Sequence, residues 1–194
     1  MPRIARHFQR DVAWSGLEAF PGLESCRLRR AGGSILVLEG AVAHRSEGAQ
    51  TVTVYTVVTD LGWRTGEAHV RLTTASGQRS LSLEFDQKLH TVRVEKNDRP
   101  DLAGCIDVDL EFSPSTNTLP IRRLDLPVGA SAAVRAAWVR FSSLAVEFLD
   151  QTYTRLAKHT YRYQSGTFEA ELEFDDDGLV IDYPGIWRRV VSSS

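Results

Sequence analysis

The densest chemistry in this 194-residue chain lies between Gly104 and Leu124. Asp107, Asp109 and Glu111 alternate there with Ile106, Val108, Leu110 and Phe112. If Gly104 to Phe112 is a strand, its period of two puts the three carboxylates and Cys105 on one face and the apolar residues on the other. Carboxylates at i and i+2 then stand about 7 Å apart. On a solvent face that is harmless, whereas on a concave face they need cationic partners. Ser113-Pro114-Ser115-Thr116-Asn117-Thr118 follows, a turn rich in hydroxyl and amide groups able to satisfy backbone donors. A short strand over Ile121 to Leu126 would point Arg122 and Arg123 to opposite faces, so that one of them reaches back toward Asp107 or Asp109. Three readings are open. The segment is a structural network pinning a loop to a sheet. Or Asp107, Asp109, Thr116, Asn117, Arg122 and Arg123 form a polar site for a hydroxyl-rich head group. Or Asp107 and Asp109 are an acid–base pair acting on a sugar conjugate, although such carboxylates usually flank the sugar from different strands.

The other reactive residue types are dispersed. His7, His44, His69, His90 and His159 show no metal-ligand spacing with one another or with Cys, and no serine sits in a nucleophile elbow. Cys26 and Cys105 read as reduced, buried, small hydrophobes. Carboxylates beside Cys105 would raise its thiol pKa and make it a poor nucleophile. Asp175-Asp176-Asp177-Gly178 lacks the calcium-loop spacing and reads as a solvated hairpin tip. The aromatics Trp63, Trp138, Tyr153, Tyr161, Tyr163, Tyr183 and Trp187 lie near strand ends. They suit a sugar face or lipid interface, and equally a barrel core. No cofactor motif is present, and no Gly-rich strand-to-helix turn marks a nucleotide site.

The elements that position these residues are strands. Ser34 to His44, Thr51 to Asp60, Glu67 to Thr73, Arg79 to Phe85 and His90 to Glu95 alternate in polarity, as do Tyr161 to Tyr163, Phe168 to Phe174 and Leu179 to Asp182. Val52, Val54 and Val58 face opposite to Thr51 and Thr53. Ala31-Gly32-Gly33, Ser46-Glu47-Gly48, Ser76-Gly77-Gln78 and Asp86-Gln87-Lys88 are hairpin-length breaks. The spacing favours a meander over parallel crossovers. Ala130 to Phe141 reads as a strand despite its alanines, and Asp11 to Ala19 as a helix with Ser15 at its cap. The expected class is all-β with few short helices: one domain over residues 1–194, its strongly curved antiparallel sheet forming a half-barrel or incomplete barrel.

Bulk properties exclude several partners. Residues are 42% hydrophobic and 25% charged, with a net charge of −2, which offers no footprint for nucleic acid. The basic start is followed by no apolar run, and no stretch is long enough to span a membrane. The expected location is the cytoplasm.

Cys105-Ile106-Asp107-Val108-Asp109-Leu110, Pro114, Thr116-Asn117-Thr118-Leu119-Pro120 and Ile121-Arg122-Arg123-Leu124 resemble the hallmark stretch of the bacterial "putative glycolipid-binding" family. Asp60-Leu61-Gly62-Trp63, Ala137-Trp138-Val139-Arg140-Phe141, Gln151-Thr152-Tyr153, Tyr161-Arg162-Tyr163 and Gly178 to Gly185 extend the resemblance over most of the chain. It implies a half-barrel like that of periplasmic lipoprotein and lipid carriers, with a glycolipid or other amphipathic ligand in its concavity. It brings no established catalytic residues. No export signal is expected from its first residues, so the chain is expected to differ from those carriers in location. With this resemblance the ligand-binding candidates are Asp107, Asp109, Thr116, Asn117, Arg122, Arg123, Trp63, Tyr153, Tyr163 and Tyr183. A hydrolase using Asp107 or Asp109 and an interaction protein with no small ligand are the alternatives.

Overall fold

A computed structural model describes residues 8–46 and 49–193. The strands are β1 (Gln9–Gly16), β2 (Gly22–Arg30), β3 (Ile35–Ser46), β4 (Ala49–Asp60), β5 (Thr65–Thr74), β6 (Gly77–Asp86), β7 (Thr91–Val94), β8 (Asn97–Asp98), β9 (Asp107–Leu110), β10 (Ser131–Val139), β11 (Val146–Arg155), β12 (Thr160–Ser165), β13 (Phe168–Phe174), β14 (Val180–Tyr183) and β15 (Trp187–Ser193). One helix, α1 (Thr118–Leu124), follows a 3-10 turn at Ser115–Asn117. All strands join one 15-stranded sheet. It runs in chain order from β8 back to β1, then from β15 back to β9. The first and last strands therefore pair at its centre, and its two edges are consecutive in the chain. The all-β expectation and the meander both hold, and the sheet is not closed into a barrel. One pairing departs from the pattern: β9 lies parallel to β10.

The outward N–H groups of edge strand β9 have partners. The Val108 N–H donates to Thr65 Oγ1 and the Leu110 N–H to Thr116 Oγ1, both at 3.2 Å. Buried threonine hydroxyls thus replace the missing neighbouring strand. Gln87 Nε2 adds bonds to the carbonyls of Thr65 and Ile106. These contacts bring β9 against the start of β5, so the curl of the sheet is completed by side chains.

Local sequence explains where the elements differ from expectation. Residues 11–16 are strand, not helix: Val12 and Trp14 are buried and their neighbours are not, the period of a strand. Ser15 lies within β1 and caps nothing. The expected strand over Ile121 to Leu126 is instead the end of α1. Pro120 fits the first helical turn, where its missing N–H has no partner to lose. Asp125 ends the helix in the left-handed region at φ 42°, and Pro127 blocks continuation. The expected strand Gly104 to Phe112 narrows to β9. Ala130 to Phe141 is strand, as its alternation indicates. His7, Glu47 and Gly48 lie outside the described residues.

The inner row of β4 is Thr51, Thr53, Tyr55, Val57 and Thr59, while Val52 and Val54 face outward. A threonine-lined inner face suits what packs on it, the segment that follows β9. Phe112, Leu119 and Ile121 of that segment are buried in the common core. Each contributes about 1.5–3 kcal/mol by burial, enough together to offset polar groups carried in beside them.

Candidate functional site

Beyond β9 the chain turns back through Ser113 and Ser115, enters α1, and returns to where it began. Arg123, in the last turn of α1, meets Asp107 at the start of β9. Its Nε donates to Asp107 Oδ1 at 3.2 Å and its Nη2 to Oδ2. Asp107 is buried and Arg123 nearly so. Burial raises the Asp107 carboxyl, and the guanidinium works against that shift. Arg122 stacks over Trp63, 5.3 Å from its ring centroid, and donates to the Asp176 carbonyl at 3.0 Å.

The turn itself is anchored by a group that the alternating-carboxylate motif did not reveal. Glu24 of β2 is buried on the same face as Cys26 and Leu28. The Tyr55 hydroxyl donates to Glu24 Oε1 at 2.5 Å and the Ser113 hydroxyl at 2.6 Å. Ser115 Oγ lies 2.8 Å from the Tyr55 hydroxyl and 2.7 Å from Ser113 Oγ. These four contacts form a ring in which Glu24 Oε1 accepts from two hydroxyls. Burial pushes this carboxyl up to about 8, against the two hydroxyl bonds that lower it. Its Oε2 has no partner among the described residues, which a neutral acid tolerates far better than a carboxylate. The only sequence signal for Glu24 was its parity with Cys26 and Leu28. Both cysteines are free and buried, and burial, more than neighbouring charge, pushes the Cys105 thiol up to about 11.

At the opposite end of β9 from Asp107 lies a cavity of 320 Å³. Its rings come from Trp138, Tyr163, Phe168, Tyr183 and Trp187, and its polar groups from Asp109, Glu111, Ser113, Asn117 and Ser165. Parallel pairing sets Asp109 directly beside Trp138. Asp109 Oδ2 accepts a hydrogen bond from Gln151 Nε2. Burial pushes the Asp109 carboxyl up to about 6; the Gln151 bond opposes this, and the charges of Glu111 and Asp107 add to it. Glu111 is otherwise committed, to Arg140 at 3.3 Å and to the Phe141 N–H. Tyr163, Phe168 and Tyr183 form a triangle with centroid separations of 6.0, 6.3 and 6.5 Å.

Of the sequence candidates, Asp109, Asn117, Tyr163 and Tyr183 line this cavity. The others are not among its lining residues. Asp107 and Arg123 pair with each other, Thr116 holds β9, and Arg122 covers the buried Trp63. The Tyr153 hydroxyl donates to Asn117 Oδ1 at 2.9 Å, and Asn117 Nδ2 donates to the Pro114 carbonyl. Trp138, Phe168 and Trp187 join from strands whose adjacency no local pattern announces. Among the described residues no cluster of His, Cys, Asp and Glu is arranged to hold a metal ion, and no helix is long and apolar enough to cross a membrane.

A solved structure with the same fold is the crystal structure of a DUF1089 family protein from Pseudomonas aeruginosa. It is 32% identical, with a TM-score of 0.75 over 86% of this chain and 91% of that one. Comparison with curated proteins found no match. The sequence profile of the family described as "Putative glycolipid-binding" matches residues 11–189, and the chain belongs to that family.

Proposed function

We propose that this protein binds an amphipathic ligand by its polar head, holding the head in the cavity between β9 and the strands β10 to β15, where Leu149 of β11 is one of the lining residues. One observation carries the reading: five aromatic rings and an incompletely bonded carboxyl, Asp109, converge on one 320 Å³ space. Apolar walls with a few convergent polar groups are what small-molecule sites present. The volume lies near the lower end of the range of about 300–1,000 Å³ for such pockets. It takes a ring and its substituents, while an attached chain leaves past Phe168, which is 44% exposed. The family description agrees with this class of ligand. Phe112, Leu119 and Ile121 of the segment after β9 pack into the core, which reduces the room for an enclosed acyl chain.

The geometry favours binding over acid–base work by Asp107 and Asp109. Asp107 is held by Arg123 and does not line the cavity. Titration of octyl β-glucoside below its micelle concentration, followed by tryptophan fluorescence, tests the reading. Saturable binding that Leu149→Trp abolishes by filling the cavity is the expected result. Binding unaffected by Leu149→Trp, or no binding of any amphipath, removes the proposal.

A further inference from the structure

Each carboxylate of the alternating set meets a different fate. Asp107 has a guanidinium, Glu111 has Arg140 and a backbone N–H, and Asp109 has an amide. Oδ1 of Asp109 accepts no hydrogen bond among the described residues. No Lys, Arg or His lines the cavity that Asp109 borders. The nearby Arg140 is occupied: it pairs with Glu111 and lies 4.1 Å from the centroid of Trp138. The cavity therefore has an acid without a counter-ion, walled by aromatic rings whose faces carry negative potential.

On the reading that this cavity holds a ligand head, we infer that the head carries a protonated amine, as in an amino sugar or a simple alkylammonium. The cation completes an ion pair with Asp109. Tyr163, Phe168 and Tyr183 present ring faces or edges at separations that let one ammonium contact more than one of them. Anionic heads such as phosphate or sulfate meet Asp109 with no base in the cavity lining to compensate, and they are selected against by repulsion. Neutral sugars bind through stacking and hydrogen bonds alone. The titratable groups around Asp109 are Asp107 and Glu111 on its own segment, Tyr153 from β11, Tyr163 from β12 and Tyr183 from β14, with uncharged Gln151 from β11. None of them supplies a positive charge.

Three probes with one tail separate this inference from the broader reading: octylammonium, octyl β-glucoside and octyl sulfate, each titrated below its micelle concentration by calorimetry. On the unaltered protein at pH 7.5, a value of choice, octylammonium should bind about tenfold more tightly than octyl β-glucoside, and octyl sulfate most weakly. Asp109→Asn, which keeps shape and removes charge, should erase the preference for the amine over the glucoside. Amine affinity should fall by about tenfold in all as the pH drops through about 6 and Asp109 takes up its proton, and should lose that dependence in Asp109→Asn. Equal affinity for amine and glucoside, or an amine preference that survives Asp109→Asn, overturns the inference while the cavity remains a binding site. Failure of all three probes overturns both.

Discussion

Arg123 grips both carboxylate oxygens of Asp107, sixteen positions earlier in the chain. This ion pair closes the reversal that runs from β9 through Ser115–Asn117 and back along α1. It fixes the segment whose Phe112, Leu119 and Ile121 pack into the core.

Arg123→Ala leaves the Asp107 carboxylate buried and unpaired. Removing one partner of a buried pair costs roughly 3–5 kcal/mol. Urea denaturation should show that loss as a lower midpoint. The double variant Asp107→Leu with Arg123→Met should recover most of it, because an apolar pair of similar volume needs no counter-ion. A single-variant loss below about 1 kcal/mol, the level of an exposed pair, would mean that the pair does not hold the segment.

Glu24 gives the fold a pH dependence of definite sign. Folded, the carboxyl keeps its proton up to about 8; its ordinary value is 4.5. Between those values the folded chain binds the additional proton, so stability falls as pH rises, by roughly 1.4 kcal/mol per unit from this group alone. Below that window the full contribution is present, and above it the contribution is gone. Glu24→Gln retains a neutral group of the same shape and cannot ionise. Its melting temperature should approach or exceed that of the parent as pH is raised from 5 to 9, the range chosen for the scan. Parallel melting profiles across that range would show that Glu24 is not the titrating group.

Gly40 makes room for the ring that completes the Glu24 cluster. Cys26, Gly40 and Tyr55 stand in register on adjacent strands. A Cβ at position 40 would lie 2.5 Å from the Tyr55 hydroxyl oxygen and 2.6 Å from its ring carbon. Gly40→Ala should therefore destabilise by about 1–3 kcal/mol, the usual penalty of overpacking. In a Tyr55→Leu background the same change should be nearly neutral. A thermodynamic cycle over the four proteins measures the coupling, and additive effects would rule out the steric account.

Much of this architecture is written in the residue order. Period-two alternation marks most strands, and it marks Ala130 to Phe141 correctly despite the alanines. Asp11 to Ala19 reads as helix instead, and the structure corrects it to β1, where only Val12 and Trp14 carry the alternation. The helix over Thr118–Leu124 is signalled by Pro120 in its first turn and Pro127 beyond its end, more than by hydrophobic periodicity, which is why Ile121 to Leu126 reads as strand on polarity alone.

The sequence by itself determined that the chain is a curved β meander, that Asp107 and Asp109 share a face, and that an arginine returns toward them. It could not determine which aspartate the arginine would satisfy, because both stand in the same alternating pattern. The length of the reversal through α1 decided that: Arg123 reaches the start of β9 and not its end. Nor could it join Glu24 to Tyr55 and Ser113, or Asp109 to Tyr163 and Tyr183, since these groups lie on strands far apart in the chain. Local spacing sets which face a side chain takes. Only the order and curl of the sheet set what that face meets.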